Sequence, residues 1–141
     1  MTERAEPVTS TINEHDRHLV VRTKKMLTDE IVLLTLGSVD GSSLPTWTPG
    51  SHIDLILPNG LIRQYSLCGD TLDTDSWQVA VLRDHHSRGG SQFIHDQLGE
   101  GDRLWVTGPR NHFALVDADS YLFLAGGIGV TPLVPMAAAA E

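Results

Sequence analysis

The stretch "RQYS", Arg63 to Ser66, sets three different chemistries within four residues. Arg63 offers a forked, permanently charged donor suited to phosphate, Tyr65 a flat face with a polar tip, and Ser66 a small donor and acceptor. On a strand, residues two apart share a face, so Arg63 and Tyr65 point one way and Gln64 and Ser66 the other. Twist or a bulge at the strand end can bring Ser66 back toward the same ligand. The set suits a flat heteroaromatic ring carrying a phosphate tail. A surface ion pair beside a half-buried tyrosine explains the four residues equally well when they are taken alone.

A second stretch shifts that balance. In "SRGGSQF", Ser87 to Phe93, two glycines stand directly before a segment with helical spacing. The N–H groups of Gly90, Ser91 and Gln92 are then free to converge on an anion, and glycine at 89 and 90 permits the close backbone approach that such a nest requires. Arg88 can add charge. A plain loop and capped helix is the simpler account of this stretch by itself, but with Arg63 it forms a candidate two-sided phosphate clamp. The third stretch, "LAGGIGVTP", Leu124 to Pro132, contains Gly127, Gly129 and Thr131. It has the strand-turn-helix setting of a phosphate-binding turn, yet Pro132 stands where a dinucleotide fingerprint has its third glycine. Pro132 fits a first helical position with Thr131 as its cap.

Other conspicuous residues carry less. His85 and His86 are adjacent, so their rings diverge on an extended segment, and no metal-ligand spacing accompanies them; no metal site is expected. Trp47, Trp77 and Trp105 lie on apolar runs and read as core. Cys68 is the only cysteine, which excludes an intrachain disulfide and leaves cysteine-ligated clusters without ligands in this chain.

Six short β-branched and apolar runs must position these residues: "HLVVRTKKML", "EIVLLTLGS", "HIDLILP", "LIRQYSLC", "WQVAVLRD" and "DRLWVTGP". Turn residues such as Asp40-Gly41 and Pro58-Asn59-Gly60 separate them, which predicts an antiparallel and closed small barrel. A short helix with Ser91 as its N-cap and Phe93, Ile94 and Leu98 on its apolar face interrupts the β pattern. From Ser120 the composition changes to an apolar strand, a glycine turn and an alanine-rich helix, the opening of a parallel α/β domain. The expected organisation is a mobile arm over residues 1–17, a barrel over 18–117, and the start of a second domain over 118–141. Without sheet neighbours, "YLFLAGG" is expected to expose apolar surface and to lead to self-association or a disordered tail.

The formal net charge of -8 argues against a general nucleic-acid binder and against a polybasic membrane-surface protein. No stretch reaches membrane-spanning length, and the polar start lacks a signal-peptide pattern. A reducing cytoplasm is the expected location.

In family order, "RQYSLC", "SRGGS", "GPRNHF" and "AGGIGVTP" resemble the flavin reductases of the ferredoxin-reductase superfamily, most closely the phthalate dioxygenase reductase and vanillate demethylase reductase class. The resemblance runs from about His18 to Glu141. It implies a mainly β fold, with a six-stranded antiparallel flavin barrel followed by the first strand and helix of a truncated NAD-binding domain. It also implies a plant-type [2Fe-2S] domain in the longer enzyme. NADH would be the substrate, FMN the cofactor with FAD possible, and a terminal Rieske-type oxygenase the partner. By the same resemblance, Arg63 and Gln64 contact the flavin tail, Tyr65 packs on the ribityl or ring, and Ser66 approaches ring N5. Ala80, Val81 and Leu82 border the flavin, Arg88, Gly89, Gly90, Ser91 and Gln92 form the phosphate loop, and Gly127, Gly129 and Thr131 face it from the second segment. Leu82 departs from the pattern, since related sequences commonly carry a basic residue there. The chain alone is expected to bind flavin with little NADH oxidation. An FAD-dependent electron-transfer domain and a non-enzymatic barrel module are the other readings.

Overall fold

The computed structural model describes residues 16–86 and 88–141. Its six strands are β1 (Asp16–Met26), β2 (Ile31–Ser38), β3 (Ser51–Ile56), β4 (Ile62–Ser66), β5 (Trp77–Leu82) and β6 (Arg103–Asn111). They match the six apolar runs of the sequence to within a few residues. One sheet in the order β4-β3-β6-β1-β2-β5 contains them all, and every pairing in it is antiparallel. The sheet curls until its two outer strands approach each other. They join at one end, where Cys68 and Gln78 form an isolated bridge and the Cys68 N–H donates to the Gln78 carbonyl at 2.9 Å. The expected closed barrel is thus corrected: β4 and β5 share no continuous ladder, and a seam stays open between them.

Alternation places one face of each strand inside. Val32, Leu34 and Leu36 of β2, Ile53 and Leu55 of β3, and Val79 and Val81 of β5 are all fully buried there with Trp77. Ile94 and Leu98 enter the same core from the segment around the short helix α1 (Gly90–Asp96). That helix begins two residues earlier than the sequence suggests, with Gly89 rather than Ser91 at its N-cap, and the Ser91 hydroxyl accepts the Asp84 N–H at 2.8 Å instead of capping its own helix.

Three further ties hold α1 against the sheet. The Lys24 ammonium, from β1, donates to the carbonyls of Ile94, His95 and Leu98 at 2.9, 2.7 and 2.5 Å, which neutralises the carbonyl end of the helix. Burial pushes the Lys24 pKa below its ordinary value, against the attraction of Asp96 and Asp102. His95 Nε2 donates to the Val81 carbonyl at 2.8 Å, and Arg83 is ion-paired to Asp96.

The arm expected over residues 1–17 lies outside the described residues except for Asp16 and Arg17. These two are paired with Thr107 and Val106 as the start of β1, so the barrel begins earlier than expected. The strand expected over "YLFLAGG" is not formed. A strand exists through its neighbours' hydrogen bonds, and no described segment pairs with it. Its period-two pattern persists all the same. Tyr121 and Phe123 are half-buried and stacked with centroids 5.9 Å apart, whereas Leu122 and Leu124 are 83% and 81% exposed. The exposure expected of this segment is therefore present. A 3₁₀ turn (Gly127–Val130) and helix α2 (Leu133–Ala140) follow. Thr131 closes that turn and Pro132 occupies the N-cap of α2, one residue later than the cap assigned from sequence. Among the described residues no helix is long and apolar enough to cross a membrane.

Candidate functional site

Along the open seam lies a groove of about 440 Å³, within the size range of small-molecule sites. Arg63, Gln64, Tyr65 and Ser66 line it from β4, Ala80 and Leu82 from β5, Ser91 from α1, and Gly129 and Thr131 from the second segment. Nine of the residues singled out in the sequence thus share one wall-to-wall cavity. All four β4 residues reach it although they alternate in direction, because β4 is an edge strand and the groove runs along its unpaired side.

Arg63 and Tyr65 stand opposite Leu55 and Ile53 in the β3 register, so they lean over the barrel core at its open mouth. Tyr65 packs against that core. Burial raises its pKa to about 12, opposed by the nearby Arg63 guanidinium. The phenol therefore stays a neutral hydrogen-bond donor throughout the physiological range. A raised pKa leaves stability intact below the free tyrosine value near 10 and removes it as pH climbs toward 12. In an alkaline titration, one tyrosinate absorbance step near pH 12 is expected, accompanied by loss of stability between about pH 10 and 12, and Tyr65→Phe should abolish both.

Arg63 is half-buried, with Nη1 donating to the Ile62 carbonyl at 2.9 Å. Its stem lies directly over Gly90. A Cβ on residue 90 would fall 2.5 Å from Arg63 Nε and 2.8 Å from its Cγ, so glycine at 90 is what lets the arginine settle onto the loop. Gly89 holds φ of 101°, a left-handed conformation that strains other residues. The two glycines have different tasks: one turns the chain, and the other makes room for the guanidinium.

On β5, the carbonyl of Gln78 faces β4, and backbone groups two residues apart along a strand face the same side. Ala80 and Leu82 consequently turn backbone polar groups toward the seam, where no strand ladder uses them. Val81 differs: its side chain is fully buried in the core on the far side of the strand. Gln92 is half-buried and Arg88 exposed, and neither lines the groove; Gly127 does not line it either, although its neighbour Ile128 does.

Three lining residues are not among the site residues that the sequence indicates, Asp84, Ile128 and Pro132. Asp84 had a signal, since Ala80, Leu82 and Asp84 form an alternate-residue row. Ile128 and Pro132 reach the groove only because the 3₁₀ turn packs against β5.

A six-stranded antiparallel barrel with a lined, open seam is the flavin-binding fold of the ferredoxin-reductase superfamily. The chain superposes on a solved phthalate dioxygenase reductase, described as a modular structure for electron transfer from pyridine nucleotides to [2Fe-2S], with a TM-score of 0.85 and 36% identity, over 93% of this chain and 40% of that one. It also matches the flavohem-like FAD/NAD-binding domain of nitric oxide dioxygenase from Vibrio cholerae, with a TM-score of 0.76 and 25% identity, over 85% of this chain and 54% of that one. In sequence it is 43% identical over 119 residues to the vanillate O-demethylase oxidoreductase of Pseudomonas putida, which covers 84% of this chain and 38% of the relative. The chain belongs to the oxygenase-reductase branch of that superfamily. It spans 30% to 40% of the length of curated relatives it matches. No protein-family model matches it.

Proposed function

We propose that the seam groove holds a flavin nucleotide, FMN in the first instance, and that the chain serves as the flavin-binding part of an NADH-dependent reductase. The observation that carries this reading is the convergence of Arg63, Tyr65, Ser66, Ser91 and Thr131 on one groove. Its donor set suits the group on chemical grounds. A permanent cation and a serine hydroxyl lie toward the α1 end for a phosphate, and a neutral phenol packs on apolar surface for the middle of the ligand. The backbone edge of β5 beyond the Cys68–Gln78 bridge, which no strand ladder covers, offers amide-type contacts for a polar heteroaromatic ring.

In this reading Arg63, with the loop from Gly89 to Gln92, holds the phosphate. Tyr65 covers the ribityl and ring, the Ala80–Leu82 backbone borders the ring edge, and Ser66 is the donor nearest N5. Thr131 and Gly129 shield the ring from the second segment's side. Bound flavin would supply hydride acceptance from NADH and single-electron release to a [2Fe-2S] centre; the protein's part is to orient the ring and keep water from its reactive edge. A terminal oxygenase as electron acceptor follows from the relatives' roles as reductases of oxygenase systems, and a cytoplasmic location belongs to the same proposal. FAD is the second reading, favoured by the nitric oxide dioxygenase domain's description as FAD/NAD-binding.

Flavin fluorescence titration of this chain tests the proposal. Saturable one-to-one binding is expected, tighter for FMN than for FAD, and absence of saturable binding by either nucleotide defeats it. Mass spectrometry of the cofactor carried by a longer version of the protein separates the two nucleotides directly.

A further inference from the structure

The charge lining the groove is smaller than the phosphate role of Arg63 suggests. Among the described residues two charge-bearing side chains line it, Arg63 and Asp84, and they are of opposite sign. The other described basic side chains near the loop are committed or turned away. Arg83 is paired with Asp96, His85 Nε2 lies 3.1 Å from Glu30, and Arg88 is exposed outside the lining. Position 82 contributes the apolar side chain of a leucine.

Asp84 is held in place. Its N–H donates to Ser91 Oγ at 2.8 Å, tying residue 84 to the first turn of α1, and its Oδ1 accepts the His86 N–H at 2.9 Å, which orients the carboxylate. Among the described residues no ion pair neutralises it.

We propose that Asp84 is a specificity-determining residue of the groove, whose carboxylate opposes the tail phosphate that Arg63 attracts, so that the site sorts flavins by the charge of their tail. The proposal rests on the flavin reading above and deepens it. A phosphate monoester carries close to two negative charges near neutral pH, whereas riboflavin has no phosphate. Asp84 and Ser91 border the same end of one groove and share a hydrogen bond, so the carboxylate and a phosphate held by Ser91 and Arg63 lie within a Debye length at physiological salt. Both are solvated, which keeps the penalty to a modest factor.

The experiment titrates FMN and riboflavin into the full chain and into its Asp84→Asn and Asp84→Ser variants, at low and at high ionic strength. Both substitutions should tighten FMN by about 3- to 10-fold at low salt, leave riboflavin unchanged, and lose most of that gain at high salt. The asparagine variant retains an Oδ1 able to accept the His86 N–H where the carboxylate did, and the shorter serine does not reach as far, so a change caused by loop disruption would move the two flavins together and separate the two variants. An unchanged ratio of FMN to riboflavin affinity in both variants overturns the role of Asp84 while the flavin reading stands. Failure of the unmodified chain to bind either flavin overturns both.

Discussion

Replacing Arg63 with alanine is expected to weaken FMN binding by about 10- to 100-fold and to leave riboflavin binding within about twofold, the span set by the loss of one charge-assisted contact. Among the described residues Arg63 is the one arginine or lysine lining the groove, and none of the others there can take over its charge. Its position depends on the loop beneath it, where glycine at 90 leaves the space that a side chain would fill. Gly90→Ala should therefore imitate part of the Arg63→Ala loss without removing the charge. Fluorescence or calorimetric titration of both flavins reads the effect. Equal losses for FMN and riboflavin would show that Arg63 supports the fold rather than the phosphate.

The largest expected loss of stability comes from Trp77→Ala, at about 3–5 kcal/mol. Trp77 is 1% exposed at the start of β5, fills the core, and donates its indole N–H to the Pro45 carbonyl at 3.2 Å. Alanine leaves both a cavity and an unsatisfied carbonyl. Trp77→Phe keeps most of the volume and should cost much less. Urea unfolding followed by far-UV circular dichroism measures both, and a Trp77→Ala loss below about 1 kcal/mol would contradict this account of the core.

Much of the scaffold is legible along the chain because strands depend on local alternation. The pattern in "IVLLTLGS" buries Val32, Leu34 and Leu36 and defines β2 without reference to any other segment. The same logic fails at "YLFLAGG". Alternation there is just as clear, but a strand also needs partners, and sequence periodicity cannot show whether a neighbouring edge is present. Ser91 was legible as a residue that matters at the start of α1, while its partner was not. Whether its hydroxyl caps the helix or receives the N–H of Asp84 depends on where β5 ends in space.

The residue types of the candidate site were set by the sequence alone: an arginine, a tyrosine and a serine on one short strand, two glycines and a serine before a helix, and a threonine after a glycine turn. Their chemistry is intrinsic to the side chains and needs no fold to be recognised. Tertiary structure decided that they share a groove. That outcome depends on a barrel seam left open beyond the Cys68–Gln78 bridge and on α1 being fastened by Lys24 from a strand 70 residues away in sequence. It also determined that Asp84 lines the same groove as Arg63, and hence that charges of both signs meet a ligand there. Contacts between residues far apart in sequence leave no local periodicity, so no reading of neighbours along the chain could have supplied them.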